Sequence, residues 1–374
     1  MTTEWQELRR DFPALEGRVY LNTAAAGLPP RPVAEAVTRF YRELEHDGDI
    51  HWEEWLARQE LIRARVAHFV GAQPDEIAFV ANTSTGINLI ADLLAENGPV
   101  LSDELEFPTV TIPWLHRGVA VDFVSPVEGV LEPESFSEER APGAATIVIS
   151  HVQFSNGCRQ DLAAFGALKG GRSLVVCGSQ STGTFPIDVT TARVDAFATA
   201  GHKWLCAGYG AGFVYVSRRL LEQRPPRAIG WLSCEDPYAF DNRRFKILPS
   251  ARRVEMGCPA FAGAFALGAA VEYLAGIGIE RIAERVLELN TLLTTRLLDA
   301  DFTVLSPGGA HRSGQTLCRL PEPARAKAFL EERGVLVTEK AEGVRLATHF
   351  YNSEEEIETA VRALEDYRRA LAEG

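Results

Sequence analysis

Short runs of apolar residues alternate along this chain with stretches whose apolar residues recur every three or four positions, the pattern of strands interleaved with amphipathic helices. The near-continuous apolar runs predict strands at Ile77–Val80, Pro99–Ser102, Val121–Val124, Thr146–Ser150, Leu174–Val176, Ala196–Thr199 and Gly212–Val216. A strand that is apolar on both faces needs cover on both, which points to a mostly parallel, seven-stranded sheet between layers of helix. Helical periodicity predicts that cover at Pro32–His46, Glu53–Val70, Gly86–Glu96, Pro108–Arg117 and Asp161–Lys169. After Pro259 the texture changes. Two long helices, Phe261–Ala275 and Ile277–Leu298, precede short strands at Thr303–Leu305, Thr316–Arg319, Leu336–Thr338 and Val344–Ala347. An amphipathic helix closes the pattern from Glu354 to about Ala370, with Ser353 as its N-cap and Glu356 three residues on. The expectation is an α/β chain with a large domain over residues 17–259 and a smaller α+β domain formed by residues 1–16 and 260–374.

Charge and composition narrow the partners. Thirty-eight Lys and Arg stand against 51 Asp and Glu, a formal charge of −13, and no basic block offsets it, so nucleic acid is not expected as a partner. The least polar long run, Phe261 to Ile279, is broken by Glu272 and holds four glycines, which reads as a buried helix rather than a membrane span. The opening MTTEWQELRR lacks the apolar core of a signal peptide, so the expected location is the cytoplasm. Cys158, Cys177, Cys206, Cys234, Cys258 and Cys318 form no C-x-x-C pair and are expected as free thiols; the eight histidines form no H-x-x-x-H pair, so no metal site is expected.

Candidate chemistry centres on Gly201-His202-Lys203-Trp204, just past the strand Ala196–Thr199. A lysine at a strand end in an apolar domain is poorly solvated, which disfavours its charged form and frees the amine as a nucleophile able to form a Schiff base with an aldehyde. Taken alone, Lys203 reads more readily as a surface lysine in a turn. Asn82-Thr83-Ser84-Thr85-Gly86 sets hydroxyls and free N–H groups at the start of a predicted helix, which suits an anion, although the same residues also make an ordinary N-cap.

The order of the motifs adds what no single one carries. From Tyr20-Leu-Asn-Thr-Ala-Ala-Ala, through Val176-Cys177-Gly178-Ser179-Gln180 and Gly201-His202-Lys203, to Arg345-Leu-Ala-Thr-His-Phe-Tyr-Asn352, the chain resembles the class V aminotransferases, a family that includes cysteine desulfurases, kynureninases and isopenicillin N epimerase-like proteins. The resemblance implies a fold-type I enzyme, a homodimer with pyridoxal 5′-phosphate as cofactor and a small-molecule amino acid as substrate. It implies that Lys203 holds the cofactor as a Schiff base and then moves the Cα proton. Gln180 would contact the cofactor's phenolic oxygen; Thr83, Ser84 and His202 would lie at its phosphate, and Phe107 would stack on its ring. Arg345 would grip the substrate's α-carboxylate, since a guanidinium offers the bidentate match that a lysine lacks. His151-Val-Gln-Phe-Ser-Asn-Gly157 matches a segment lining the cofactor, with Gln153, Ser155 and Asn156 all open as the contact and Asn156 placed on the substrate side.

Departures from the family pattern shape the expected reaction. The family's aspartate, which keeps the pyridine nitrogen protonated, is Cys177 here, and a neutral thiol cannot hold that proton. The family's Gly-Thr-Pro, whose threonine reaches the neighbouring subunit's phosphate, is Gly257-Cys258-Pro259, and a serine two before the histidine is Ala200. No cysteine lies in Val335–Val344, where desulfurases carry their catalytic thiol. A weakened electron sink favours β-elimination, in which the leaving group takes the electrons away; a carbon–sulfur lyase is the leading expectation. Aminotransfer or epimerisation is the alternative, and a cofactor-binding homologue with impaired catalysis is a third reading.

Overall fold

The computed structural model describes residues 4–223 and 225–373; residues 1–3 and 374, at the two ends of the expected small domain, lie outside the described residues. Twelve strands run through the described residues. They are β1 (Val19–Tyr20), β2 (Ile77–Phe79), β3 (Val100–Asp103), β4 (Val121–Val124), β5 (Thr146–Ser150), β6 (Ser173–Cys177), β7 (Ala196–Ala200), β8 (Gly212–Val216), β9 (Gln315–Arg319), β10 (Val335–Leu336), β11 (Thr338–Lys340) and β12 (Gly343–Ala347). Seven form one sheet in the order β2-β8-β7-β6-β5-β3-β4, in which only β8 runs against its neighbours. Every residue of β3 and β5–β8 is buried, as expected of strands with helices on both faces.

Two helical layers provide that cover. On one face, helices Arg31–Asp47, Trp52–Phe69 and Phe261–Ile277 pack Phe40, Trp55, Phe261 and Phe265 into a core shared with Phe197 and Phe213 of the sheet. On the other, helices Thr83–Leu94 and Pro108–His116 bring Ile87, Ile90 and Trp114 against Val175 and Ala198. A third core lies beneath the small antiparallel sheet β11-β12-β9, where helices Ile279–Asp299 and Glu354–Glu373 contribute Leu289, Leu293, Ile357 and Leu364. Burying a side chain of this size stabilises the fold by about 1.5–3 kcal/mol each. The final helix begins with the reciprocal cap read from the sequence: Glu356 N donates to Ser353 Oγ at 3.3 Å and Ser353 N to Glu356 Oε2 at 3.0 Å.

Two expectations change. Thr303–Leu305 is not a strand; it makes a single bridge, Val304 to Cys318, at the border of β9. The run Leu336–Thr338 is divided at Val337, because the chain pairs parallel with β1 before that residue and antiparallel with β12 after it. The helix Phe261–Ile277, which follows Pro259, packs Phe261 and Phe265 into the core of the large sheet. The chain bends by 78° between the two long helices, at Gly278. Among the described residues no single helix is long and apolar enough to cross a membrane.

Candidate active site

Strand ends of the large sheet and one hairpin of the small sheet open onto a common cavity of about 370 Å³. It is lined by eight residues singled out from sequence, Thr83, Ser84, Phe107, Cys177, Gln180, His202, Lys203 and Arg345, together with Ala24, Ala25, Asn82, Thr109, Ser150, Phe154, Ser179 and Lys340.

Lys203 sits in a tight loop between β7 and β8. Gly201 N donates to Ala211 O at 2.6 Å, Ala207 N to Gly201 O at 2.8 Å and Cys206 N to Lys203 O at 3.0 Å, so the loop is closed on itself. Gly27 seals it from outside: its N–H donates to His202 O at 2.8 Å, and a Cβ there would lie 1.8 Å from Lys203 O, so only glycine fits. The amine is thereby held in a desolvated place, and burial pulls its pKa down to about 8; the neighbouring Arg345 cation lowers it further, while Cys177 opposes the shift. His202 stacks on Tyr209 at 4.8 Å, and its pKa is lowered by burial and by Lys203.

Gln180 follows β6 through Gly178, where a Cβ would collide with the Phe197 ring at 1.9 Å. Its Oε1 accepts from Trp204 Nε1 at 2.7 Å and its Nε2 donates to Ala24 O at 2.9 Å. The amide orientation is thus fixed, and one Nε2 hydrogen remains for a ligand. Across the cavity, Asn82 caps helix Thr83–Leu94 by accepting from Thr85 N at 2.9 Å. Thr83 Oγ1 meets Ser179 Oγ at 2.6 Å and Ser84 Oγ meets Thr109 Oγ1 at 2.5 Å, a ring of hydroxyls at the positive end of the helix. Phe107 caps the next helix with 46% of its surface exposed; its ring makes an edge contact with Phe154 and lies 5.7 Å from Lys203 Nζ.

Cys177 ends β6 and is buried, and its Sγ donates to Ser179 Oγ at 3.4 Å. Burial raises its pKa and the nearby Glu106 carboxylate raises it further, so the thiol is neutral at physiological pH. Beside it lies an acid pair that sequence reading missed. Glu106 accepts from Ser150 N and, at 2.6 Å, from Ser150 Oγ; Gln153 Nε2 bridges Glu106 Oε1 at 3.0 Å and Asp103 Oδ2 at 3.1 Å. Burial and the Glu106 charge push Asp103 up to about 9, so the pair does not ionise fully at neutral pH.

Arg345, on β12, is buried, and its partners are all neutral. Nη1 donates to Phe154 O at 2.9 Å and Gln315 Oε1 at 3.4 Å, Nη2 to Thr338 Oγ1 at 3.3 Å, and the buried Nε has no partner. Desolvation lowers its pKa to about 10.

Three sequence candidates do not reach this cavity. Asn156 is committed to its own loop, with Nδ2 donating to Gly129 O at 2.7 Å and Oδ1 accepting from Cys158 N at 3.0 Å. Neither of its companions lines the cavity, since Gln153 turns to the acid pair and Ser155 Oγ to Leu105 O; Phe154 is the residue of that segment that does. Gly257 and Cys258 line a separate cleft with Phe79, Thr85 and Leu89. Lys340, which sequence reading passed over, could have been found by alternation: Thr338 pairs with Arg345 and Lys340 with Gly343, so Lys340 and Arg345 share one face of the hairpin.

Relatives accord with this geometry. Residues 19–363 match the profile of the aminotransferase class-V family. An uncharacterized aminotransferase, YcbU of Bacillus subtilis, is 28% identical over 95% of this chain and 96% of its own, and a probable cysteine desulfurase of Pyrococcus abyssi is 28% identical over 98% of each chain. The apo structure of a cysteine desulfurase from Thermococcus onnurineus superposes with a TM-score of 0.90 at 25% identity, covering 99% of both chains. With the family profile spanning nearly its whole length, the chain belongs to the class-V aminotransferases.

Proposed function

We propose that this protein catalyses β-elimination from an amino acid that carries a good leaving group on Cβ, with a carbon–sulfur bond as the first candidate. Family membership makes it a pyridoxal-phosphate enzyme of the lyase or transferase type. Its own residues suit that cofactor: a desolvated amine at Lys203, an anion-ready helix start at Thr83 and Ser84, an open ring face at Phe107 and a spare amide hydrogen on Gln180. When bound, the cofactor draws electrons away from the Cα of an amino acid linked to it.

The observation that carries the reading is the pairing of Lys203 with an Arg345 that has no carboxylate partner, both on one cavity. Arg345 would take the α-carboxylate and so fix which Cα bond faces Lys203. Lys203, with its amine drawn down to about 8, would accept the Cα proton as a base near neutral pH. The electron pair of that Cα–H bond then forms the Cα–Cβ double bond, and the Cβ–leaving-group bond breaks with its electrons. The neutral Cys177 supports elimination over longer-lived carbanion chemistry, because it cannot supply the charge that the family's aspartate supplies. Cys318, the cysteine nearest in sequence to the desulfurase position, is packed in the core of the small sheet with its pKa raised to about 12, which supports a lyase without a sulfur-carrying thiol.

A homodimer in the cytoplasm fits the same reading. Exposed Cys258 lies away from its own chain's cavity, where it would be free to serve a partner's, and the six cysteines are unpaired.

The test is a panel of amino acids given to the loaded enzyme and assayed for pyruvate, for the corresponding keto acid and for racemised product. Pyruvate from substrates with a β-leaving group is the expected result. Keto acid or racemised product without pyruvate would replace elimination with transfer or epimerisation.

A further inference from the structure

The cavity collects cations and lacks acids. Lys203, Lys340 and Arg345 line it, and no aspartate or glutamate does. Lys203 and Arg345 have roles in the reading above; Lys340 has none. Its position is nonetheless specific. β11 and β12 form a hairpin with only Ala341 and Glu342 between them, and alternation turns Thr338, Lys340 and Arg345 to one face. Lys340 and Arg345 are diagonal neighbours across this pair, a separation of about 7 Å between β-carbons.

Lys340 is also held where a lysine is ill at ease. Its Nζ lies 4.3 Å from the centroid of the Phe154 ring, and among the described residues it makes no hydrogen bond or ion pair. Its pKa is lowered to about 8, first by desolvation and then by Arg345 and Lys203. The acids next to it in sequence do not relieve it: Glu339 alternates to the opposite face, and Glu342 pairs with Arg319 at 3.3 Å. The α-carboxylate of a substrate neutralises one cation, and Arg345 has the donors for it. With the cofactor's phosphate assigned to the helix start at Thr83 and Ser84, a second anion on the substrate is what Lys340 would recognise.

Resting on the reading that Arg345 binds the α-carboxylate, we propose that Lys340 selects amino acids whose side chain bears a second negative charge. The ligand class is a dianionic amino acid with a carboxylate, sulfinate, sulfonate or phosphate a few bonds beyond Cα. Phe154, under the Lys340 ammonium and at the edge of Phe107, forms the apolar wall along the intervening methylene.

The experiment titrates the cofactor-loaded enzyme with matched amino acids and follows the cofactor's absorption, which reads binding without requiring turnover. The pairs are L-aspartate against L-asparagine, L-glutamate against L-glutamine, and O-phospho-L-serine against O-acetyl-L-serine. The expected result is at least about tenfold tighter binding of the acidic member in one or more pairs, the value of one charge-assisted contact. The pair with the largest ratio identifies the acid. In Lys340→Met that ratio collapses towards one while the neutral member binds as before, and in Lys340→Arg most of it returns. Neutral members that bind as tightly as their acidic partners in the unmodified enzyme overturn the proposal, and that measurement needs no variant to fold. Equal weakening of both members in Lys340→Met also overturns it, since that would mark a structural role. If no amino acid perturbs the spectrum, the amino-acid reading of the whole cavity falls, and the selectivity with it.

Discussion

The large sheet and the small sheet meet at one cavity and furnish it differently. β6 and β7 deliver Cys177, Gln180, His202 and Lys203 from strands buried along their whole length, through loops closed by backbone hydrogen bonds and by glycines with no room for a Cβ. β11 and β12 deliver Lys340 and Arg345 from a short hairpin whose β11 is the edge of a three-stranded sheet and is only partly buried. On the large-sheet side, polar atoms such as both ends of the Gln180 amide are matched by neighbours. On the small-sheet side, two cations face the cavity with neutral partners or none. Packing thus fixes the half assigned to the cofactor, and unneutralised charge defines the half assigned to the substrate.

Four measurements would break or sharpen this contrast. The largest effect is expected from Lys203→Ala on the large-sheet side. Acid–base transfer alone is worth about 10²–10⁴ in rate, and the variant loses covalent attachment as well, so turnover should fall by at least about 10³-fold. Mass spectrometry after borohydride reduction should find the cofactor on the peptide containing Lys203; a label on another lysine would move the centre of the site. On the small-sheet side, Arg345→Ala should weaken amino-acid binding by about 10–150-fold, the equivalent of 1.5–3 kcal/mol, while cofactor loading stays intact. Loss of cofactor in that variant would erase the division of labour between the sheets.

A smaller effect is expected at Cys177. Cys177→Asp sets a carboxylate into a buried place beside Glu106, where like charge disfavours ionisation. Stability should drop by about 1–3 kcal/mol, seen as a lower Tm. If the new acid ionises, transamination should rise relative to elimination for a single amino acid. An unchanged product ratio in fully loaded variant would mean that residue 177 does not govern the cofactor's electronics.

The smallest change is a shift in a pH profile. The Lys203 amine has a pKa lowered to about 8, so its reactive free-base form grows as pH rises through that value. The rate at which cofactor-free protein captures pyridoxal phosphate should therefore rise with pH, with a midpoint near 8. Because Arg345 helps to lower that pKa, Arg345→Ala should move the midpoint upward. A midpoint that does not move would show the two halves to be electrostatically independent.

Much of the large-sheet half could be read along the chain. The seven strands of the large sheet fall at the apolar runs, within a residue or so at their ends; for β5–β8 the reason is that strands buried on both faces must be largely apolar. Lys203, Gln180 and Thr83 follow strand or helix ends whose local order is written in consecutive residues. The small-sheet half was harder to read. Thr303–Leu305 has the composition of a strand but finds only one bridge, and Leu336–Thr338 splits because two different partners compete for it. Asn156 is the type of residue that contacts ligands, yet its amide holds Gly129 and Cys158 instead. The acid pair escaped notice because the raised pKa values of Asp103 and Glu106 come first from burial, which no local pattern reports.

The sequence by itself determined the alternation of strands and helices and, through the order of its motifs, the family, since both are written in the linear order of residues. The tertiary structure decided what depends on distant segments meeting. It assigned the helix Phe261–Ile277 to the core of the large sheet, placed Gly257 and Cys258 in another cleft, and turned Lys340 towards Lys203 and Arg345 across a cavity with no acid on its wall. Burial and charge are sums over everything nearby in space, and a chain's order does not state which residues are near.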